Sequence, residues 1–257
     1  MVPTLQPLCR EALHSVRLIA TDMDGTLTQQ EKFSPGLLQT LMDLAESGFV
    51  VVIVTGRSAG WVNGLAHYLP IAGAIAENGG LYYPSGVRET NCLPLVEIAD
   101  LPTHRQQLRQ MFTQLQTHFP HIRESADNLF RLSDWTFDIQ GLNLPDLQRM
   151  SDMCQAQGWG FTYSTVQCHI KLAQQEKANG LKTVLERDFP HLSLDQIVTV
   201  GDSPNDESLF DPAQFPVSVG VANLKHYATQ LRHLPTYITL ASEVDGFCEL
   251  ARGVMGK

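Results

Sequence analysis

Two carboxylates stand two residues apart at the end of the first apolar run. The stretch RLIATDMDGTLTQQ, residues 17–30, places Asp22 and Asp24 directly before Gly25. Asp and Gly are common turn residues, so the pair alone is weak evidence of a site. Polar residues also follow three later apolar runs: Thr55, then Glu77 and Asn78, then Asp202 and Asp206. Ligands of an open parallel sheet bind outside the carboxyl ends of its strands, so the sequence predicts that these side chains converge on one crevice.

Asp22 and Asp202 predict a site for one hard cation. If their strands are neighbours, the backbones lie about 4.8 Å apart, and the two carboxylates could share a cation. No cysteine or histidine pair stands at these strand ends, and an oxygen-only site favours Mg²⁺ over zinc. Asp22 could then attack the phosphorus of a phosphate ester and form an acyl phosphate. Asp24 could protonate the departing alcohol and later take a proton from water.

Two further segments supply groups that could bind a phosphoryl group. The stretch VTGRS, residues 54–58, brings the Thr55 hydroxyl and the backbone N–H groups of a predicted helix start, which together make an anion site. The stretch EKANGLKTVL, residues 176–185, puts Lys177 at the head of another predicted helix. A lone lysine is usually a solvated surface residue, but Lys177 stands where the chain returns to the predicted core.

Continuous apolar runs indicate the strands that must position these residues. Such runs are typical of parallel strands covered on both faces. They lie at 16–22, 48–56, 72–80, 197–202, 216–221 and 236–240. Between the first two runs, Ser34 can cap a helix, Pro35 can occupy its first turn and Gly48 can stop it. The apolar stripe of this helix is Leu37, Leu38, Leu41 and Leu44. The pattern predicts an α/β fold with a Rossmann-like, doubly wound parallel sheet.

A different pattern fills residues 84–172. Here apolar and polar residues alternate, as in Trp135, Phe137 and Ile139 with their polar neighbours. Alternation predicts strands of an antiparallel sheet with one wet face, and helices are predicted at about 103–117 and 145–157 on its other side. We therefore expect an inserted α+β domain at 84–172, with residues 1–83 and 173–257 forming the Rossmann-like core.

Composition limits the class of partner. The chain has 257 residues, of which 43% are hydrophobic, and its net charge is -9. Because no run of basic residues occurs, a nucleic-acid partner is disfavoured. The five cysteines are scattered, and neither a signal peptide nor an apolar run of membrane-spanning length is recognised. The sequence thus predicts a cytoplasmic protein without a membrane segment, and it leaves the oligomeric state open.

Four motifs in order resemble those of the haloacid dehalogenase-like phosphatases. They are DMDGT (22–26), VVVIVTGR (50–57), EKANG (176–180) and GDSPND (201–206). The insertion between the second and third motifs is similar to the type C2 cap of subgroup IIB, which includes Cof-like sugar phosphatases and sucrose-phosphate phosphatase. The resemblance implies a Mg²⁺-dependent phosphatase that forms an aspartyl-phosphate intermediate on a small phosphate ester, such as a sugar or polyol phosphate.

The same resemblance assigns roles to individual residues. Asp22 is the expected nucleophile and Asp24 the expected general acid and base. The expected phosphate- or substrate-binding residues are Thr55, Gly56, Arg57, Lys177 and Asn205. The expected metal ligands are Asp22, Asp24 through its carbonyl, Asp202 and Asp206, the last either directly or through water.

Two other functions remain open at this stage. A phosphomutase of the phosphomannomutase type would use the same nucleophile, and a requirement for a bisphosphorylated activator would distinguish it. A non-catalytic sensor of a phosphorylated ligand would be favoured by loss of Asp22 or Asp24, and both are present. The polar face of the predicted inserted sheet (Gln167, His169, Lys171 and residues 131–134) faces either solvent or the active site. The sequence does not identify the substrate or the residues that select it.

Overall fold

A computed structural model describes residues 5–86 and 92–256. The strands are β1 (Gln6–Pro7), β2 (Leu18–Thr21), β3 (Val50–Val54), β4 (Gly73–Ala76), β5 (Leu81–Pro84), β6 (Leu93–Pro94), β7 (Trp135–Asp138), β8 (Trp159–Tyr163), β9 (Gln167–Leu172), β10 (Ile197–Gly201), β11 (Val217–Gly220) and β12 (Tyr237–Ile238). The α-helices are α1 (Pro35–Glu46), α2 (Ala59–Tyr68), α3 (Leu101–His118), α4 (Leu144–Ala156), α5 (Lys177–Asp188) and α6 (Glu243–Val254). None of the helices in the described ranges has the length and apolar character needed to span a membrane.

A large sheet carries the predicted parallel strands. Its order is β1-β12-β11-β10-β2-β3-β4-β5-β6, with parallel pairing from β1 to β4 and antiparallel pairing at β5 and β6. Apolar side chains fill both faces. Helices α1, α2 and α6 pack on one face, and α5 packs on the other. The predicted doubly wound α/β sheet is therefore confirmed.

Helix α1 begins where the sequence predicts. The Ser34 side chain accepts a hydrogen bond from the backbone N–H of Leu37, and Pro35 lies in the first turn. Gly48, at φ +81, follows the helix in a left-handed conformation that ends it. One detail was wrong: Leu38 is 43% exposed, whereas Leu37, Leu41 and Leu44 are buried. The buried stripe is narrower than predicted because α1 lies against the sheet along one side only.

A second, small sheet has the order β7-β9-β8 and is antiparallel. We call residues 101–172 the small-sheet region. Its apolar face packs with α3 and α4 around Phe137 and Ile170. The opposite face was predicted either to meet solvent or to cover the active site, and the solvent alternative was wrong. Gln167, His169 and Lys171 are all buried, because this face lies against the large-sheet part of the molecule.

The division into two domains at residues 84 and 172 stays a prediction. Strand β6 pairs with β5 and so extends the large sheet. Residues Leu93–Pro94 thus lie with the core strands, although the predicted insertion begins before them. Part of the predicted boundary, residues 87–91, falls outside the described residues.

A close backbone contact positions the start of α5 against the loop after β4. Gly79 has φ +97, and a Cβ atom there would lie 2.2 Å from the carbonyl oxygen of Glu176. Gly180, one turn into α5, contacts the same glycine: its own Cβ would lie 2.7 Å from the Gly79 Cα. Only residues without a side chain allow this approach. The contact holds the first turn of α5 against the loop after β4.

We expect Gly79→Ala to lower the free energy of unfolding by about 2 kcal/mol or more, because it adds a clash with backbone to an unfavourable positive φ. Chemical denaturation measures the change. Gly64→Ala is the matched control, since Gly64 lies inside α2 with nothing within 4 Å of its Cβ position. There alanine should stabilise by about 0.5–1 kcal/mol. Similar effects of the two substitutions would contradict the proposed clash.

Candidate active site

Asp22 and Asp202 lie side by side at the carboxyl edge of the large sheet. They follow the neighbouring parallel strands β2 and β10, and the Asp22 N–H donates to the carbonyl oxygen of Val200 at 2.9 Å. Gly25 turns the chain directly above Asp202: it has φ +78, and a Cβ there would lie 2.4 Å from Asp202 Oδ2. The order of the strands and one glycine turn therefore bring the two carboxylates together.

Lys177, the first residue of α5, lies between the carboxylates of Asp22 and Asp206. Its Nζ donates to Asp22 Oδ1 at 2.5 Å and to Asp206 Oδ1 at 2.6 Å, and the side chain is fully buried. Burial disfavours the charged ammonium, but the attraction of Asp206 and Asp22 outweighs it and raises the pKa of Lys177 above its usual value. Lys177 is therefore a permanent cation, and the solvated-lysine alternative was wrong.

Asp22, Asp202 and Asp206 form what we call the carboxylate cluster, in which one oxygen of each lies within 4.8 Å of the others. Burial, together with Asp206, raises the pKa of Asp22 to about 7, although Lys177 opposes the rise. Burial also raises the pKa of Asp202 well above its usual value, and Asp22 adds to this effect. One ammonium is therefore too little positive charge for three buried carboxylates.

Asp206 and Asp202 of the carboxylate cluster differ in their hydrogen-bond partners. Asp206 Oδ1 accepts from Lys177, and Asp206 Oδ2 accepts from the backbone N–H groups of Asp202 and Ser203. Asp202 Oδ2 accepts from Asn223, whereas Asp202 Oδ1 is buried and makes no hydrogen bond within residues 5–86 and 92–256. Asp202 thus keeps a free oxygen beside Asp22, as an oxygen-liganded cation requires, while Asp206 holds Lys177 and the loop.

Sequence analysis did not identify Asn223. Its side-chain amide donates to both Asp202 Oδ2 at 2.8 Å and the Gly25 carbonyl at 3.0 Å, and so joins the loops after β2 and β10. Asn223 follows β11, another parallel strand of the same sheet. Ligands bind outside the carboxyl ends of parallel strands, and this rule, applied to β11, predicts Asn223 as a site residue.

Asp24 is paired with Arg57. Arg57 Nε donates to Asp24 Oδ2 at 2.8 Å and Nη2 donates to Oδ1 at 2.6 Å, and the guanidinium lies 5.0 Å from the ring centre of Trp61. The hydrogen bond to Asp24 raises the pKa of Arg57, although burial opposes it. Both residues line a narrow cleft that also contains Asp22. In the structure Arg57 holds Asp24, while its predicted contact with a substrate stays a prediction.

Thr55, Gly56 and Asn205 surround the same cleft. Thr55 is buried at the end of β3, and its hydroxyl accepts from the Arg57 N–H at 3.2 Å. Asn205 donates to the side-chain oxygen of Asn78 at 3.2 Å. Gly56 and Asn205 line the narrow cleft beside Asp22. The structure therefore brings every residue of the predicted site to one edge of the large sheet, while their roles stay predictions.

The small-sheet region covers this edge. Gln167 and His169 line the narrow cleft opposite Asp22 and Asp24. Arg131 donates to the Gly56 carbonyl at 2.9 Å and is paired with Asp134, which also contacts His169 Nδ1 at 2.9 Å. Burial lowers the pKa of His169, although Asp134 opposes the effect. The predicted alternative in which this face is the roof of the site thus agrees with the geometry.

Glu77 joins the two parts of the molecule. Its carboxylate accepts from the backbone N–H groups of Ala59, Leu132 and Ser133, at 3.0, 3.0 and 2.6 Å, and from the Ser133 hydroxyl at 2.7 Å. Gln175 donates to the Glu77 carbonyl at 2.6 Å. Burial raises the pKa of Glu77, with Asp134 adding to the rise. One buried side chain thus connects α2 to the small-sheet region.

Comparison with known proteins shows what the chain is similar to. The family model for haloacid dehalogenase-like hydrolases matches residues 19–139, which include Asp22, Asp24 and the TGR segment. Over this part of its length the chain is similar to the haloacid dehalogenase-like hydrolases. The predictions of this family, of its fold class and of an enzyme that hydrolyses phosphoric monoesters are confirmed.

Relatives and solved structures cover nearly the whole chain. A phosphoglycolate phosphatase of Methanothermobacter thermautotrophicus is 26% identical over 244 residues, covering 94% of this chain and 100% of the relative. One of Metallosphaera sedula is 26% identical over 81% of this chain and 87% of its own. The Thermoplasma acidophilum 0175 structure has a TM-score of 0.74 at 20% identity, covering 93% and 98%. The sucrose-phosphatase of Synechocystis has a TM-score of 0.68 at 17% identity, covering 93% and 97%.

We expect Glu77→Gln to lower the free energy of unfolding by about 2–3 kcal/mol, because an amide NH₂ would face backbone N–H donors that the carboxylate now satisfies. Urea denaturation measures the loss. Glu46→Gln is the control, since Glu46 is an exposed residue at the end of α1. If both variants unfold like the wild type, Glu77 does not join the two parts of the molecule.

Proposed function

We propose that this hydrolase is a Mg²⁺-dependent phosphatase of a small phosphorylated metabolite that works through an aspartyl-phosphate on Asp22. The observation that carries the proposal is the setting of Asp22. It is buried at a strand end and one of its oxygens is held by Lys177, while one oxygen of the neighbouring Asp202 has no partner in the part of the chain that the structure describes. The Asp22 carboxylate, the proposed nucleophile, therefore lies next to two places where negative charge can be neutralised. One is the Lys177 ammonium, and the other is a cation held by the Asp202 oxygen.

The proposed reaction has two steps on Asp22. In the first, an Asp22 oxygen bonds to phosphorus, the ester P–O bond breaks, and Asp24 gives its proton to the departing alcohol. In the second, water attacks the acyl phosphate, Asp24 takes the proton from that water, and the P–O bond to Asp22 breaks to release phosphate. Lys177 and the Thr55 hydroxyl stabilise the charge on the phosphoryl oxygens. Arg57 holds Asp24 at the cleft between the steps.

The carboxylate cluster suits Mg²⁺. Asp22, the free oxygen of Asp202 and the carbonyl of Asp24 are the proposed ligands, and Asp206 orients them or acts through water. All of these donors are oxygen atoms, as this cation prefers. When bound, the cation neutralises the carboxylates and the phosphoryl charge, so that an anionic nucleophile can approach an anionic ester.

Two substrate groups remain candidates. The first is phosphoglycolate, which the names of relatives covering most of this chain specify. A cavity of about 320 Å³, whose walls include Asn78, Lys177 and Asn205, lies next to the site and is of the size of a small metabolite. The second is a sugar or polyol phosphate. It is favoured by an outer groove of about 610 Å³ that shares Phe161, Thr162 and other walls with this cavity.

We expect Asp22→Asn to reduce turnover of p-nitrophenyl phosphate by at least 10³-fold, because an amide is a poor nucleophile of nearly the same shape. Steady-state kinetics with Mg²⁺ measures the loss, and thermal unfolding checks the fold. Asp152→Asn, at an exposed position of α4, is the matched control. Retention of a few per cent of activity by Asp22→Asn would contradict the covalent mechanism. A requirement for a bisphosphorylated activator would instead indicate a phosphomutase.

We expect Mg²⁺ to raise the melting temperature of the wild type relative to protein in EDTA, since a ligand that binds only the folded state stabilises it by about 2.7 kcal/mol at 100 times its Kd. Asp202→Asn should remove most of this shift while leaving the metal-free protein at least as stable, because it removes one of three mutually repelling carboxylates. Differential scanning calorimetry measures both. An equal Mg²⁺ shift in the variant would show that the cation binds elsewhere.

A further inference from the structure

Lys171 is a buried lysine to which the proposed reaction assigns no role. It lies on β9, on the same face as Gln167 and His169, and is 4% exposed. Within residues 5–86 and 92–256, no hydrogen bond or ion pair involves its ammonium group. Lys177, by contrast, is equally buried and contacts two carboxylates. Both lysines are buried in the same part of the molecule, but among the described residues only Lys177 has carboxylate partners.

An unpaired buried ammonium is costly. Burial lowers the pKa of Lys171, and the more distant charges of Glu176 and Asp134 oppose the effect only in part. Removing an ammonium group from water costs several kcal/mol unless a partner replaces the lost hydration. A protein that keeps such a group gives up stability at this position, as is common at binding sites.

Lys171 forms part of the wall of the 320 Å³ cavity. Lys171 lines this cavity together with Lys177, Asn78 and Asn205, which belong to the candidate active site. Its partner across the small sheet is Gly160, where a Cβ atom would lie 3.2 Å from the Lys171 Nζ. The absence of a side chain at Gly160 therefore leaves space for the ammonium at the edge of the cavity.

The acidic residues of the cavity wall do not neutralise Lys171. Glu176 is exposed and forms no ion pair with Lys171 among the described residues. The carboxylate of Glu207 already accepts from the backbone N–H groups of Arg232 and His233. The third acidic residue of the wall, Asp211, accepts from the Ala213 N–H and from the Gln214 side chain. Among the described residues, no carboxylate of this cavity wall pairs with the buried Lys171, so a molecule that enters the cavity could supply its partner.

We propose that Lys171 binds a second negatively charged group of the substrate, so that the enzyme acts on small phosphate monoesters that also carry a carboxylate or a second phosphate. The inference rests on the proposed phosphatase function and narrows its substrate class. The phosphate lies at Asp22 and Lys177, and the second oxyanion lies at Lys171 across the cavity. An uncharged sugar phosphate leaves Lys171 unpaired and is the poorer substrate.

Pairs of substrates that differ in one group test this assignment. Glycerate 3-phosphate and glycerol 3-phosphate differ by a carboxylate in place of CH₂OH, and fructose 1,6-bisphosphate and fructose 6-phosphate differ by the second phosphate. We expect the wild type to prefer the more anionic member of at least one pair, and that pair identifies the oxyanion. Preference for the neutral member of both pairs, with p-nitrophenyl phosphate still hydrolysed, would overturn the inference and leave the phosphatase function intact.

Lys171→Met removes the charge and keeps the length of the side chain. We expect the ratio of kcat/KM for the preferred anionic member to that for its neutral partner to fall by about 10- to 100-fold, the value of a charge-assisted hydrogen bond. Lys171→Arg should retain part of the preference. Lys225→Met, at an exposed position, is the matched control and should leave the ratio unchanged. An equal loss on both members, or no loss, would overturn the inference.

The melting temperature of Lys171→Met provides a second test. If Lys171 only supported the fold, this substitution would lower the melting temperature. Because Lys171 has no partner to lose, Lys171→Met should melt at the same temperature as the wild type or higher. A lower melting temperature would show that Lys171 supports the fold and would overturn the inference.

If the wild type hydrolyses none of the esters, the phosphatase function fails. Calorimetric binding of 2-phosphoglycolate to wild type and Lys171→Met then decides the role of Lys171, and equal affinities overturn it.

Discussion

The structure depends on the burial of three carboxylates around a single ammonium group. Asp22, Asp202 and Asp206 come from two neighbouring strand ends and the loop that follows, and Lys177 comes from the start of a helix on one face of the sheet. Like charges at this distance in a buried site repel strongly, so the arrangement persists only because the backbone around it is rigid. Lys177 neutralises part of this negative charge, and a bound cation would neutralise more of it.

Much of the surrounding architecture positions that ammonium group. Helix α5 reaches the sheet because Gly79 and Gly180 allow backbone to contact backbone. The loop containing Gly79 is in turn held through Glu77, whose carboxylate satisfies backbone donors in α2 and in the small-sheet region. Direct contacts therefore link Lys177 to the loop after β4 and, through Glu77, to the small-sheet region. A shift of the small-sheet region would change the environment of the reacting carboxylates.

The same contacts give the site its two compartments. Near Asp22 the small-sheet region comes so close that His169 and Gly56 are nearly in contact, and the cleft there is narrow. On the Lys177 side a larger cavity opens between β8, β9 and residues 204–211. The narrow cleft thus contains Asp22, Asp24 and Arg57 from the motifs together with Gln167 and His169 from the small-sheet region. The wider cavity contains Lys171 and Lys177.

The sequence alone determined the chemistry of the large-sheet edge. The carboxyl ends of parallel strands lie at the same edge of a sheet. A carboxylate directly after an apolar run is therefore expected at that edge, wherever the rest of the chain lies. Local capping and turn rules likewise placed the start of α1 at Ser34. Only the tertiary structure decided which polar groups became partners. Arg57 pairs with Asp24, and Asn223 joins two loops. The polar face of the small sheet is buried, and Lys171 on it has no ion pair among the described residues. These outcomes depend on how two sheets far apart in sequence pack together. Alternation along a strand says which residues share a face, but the element packed against that face decides whether they meet solvent, protein or ligand.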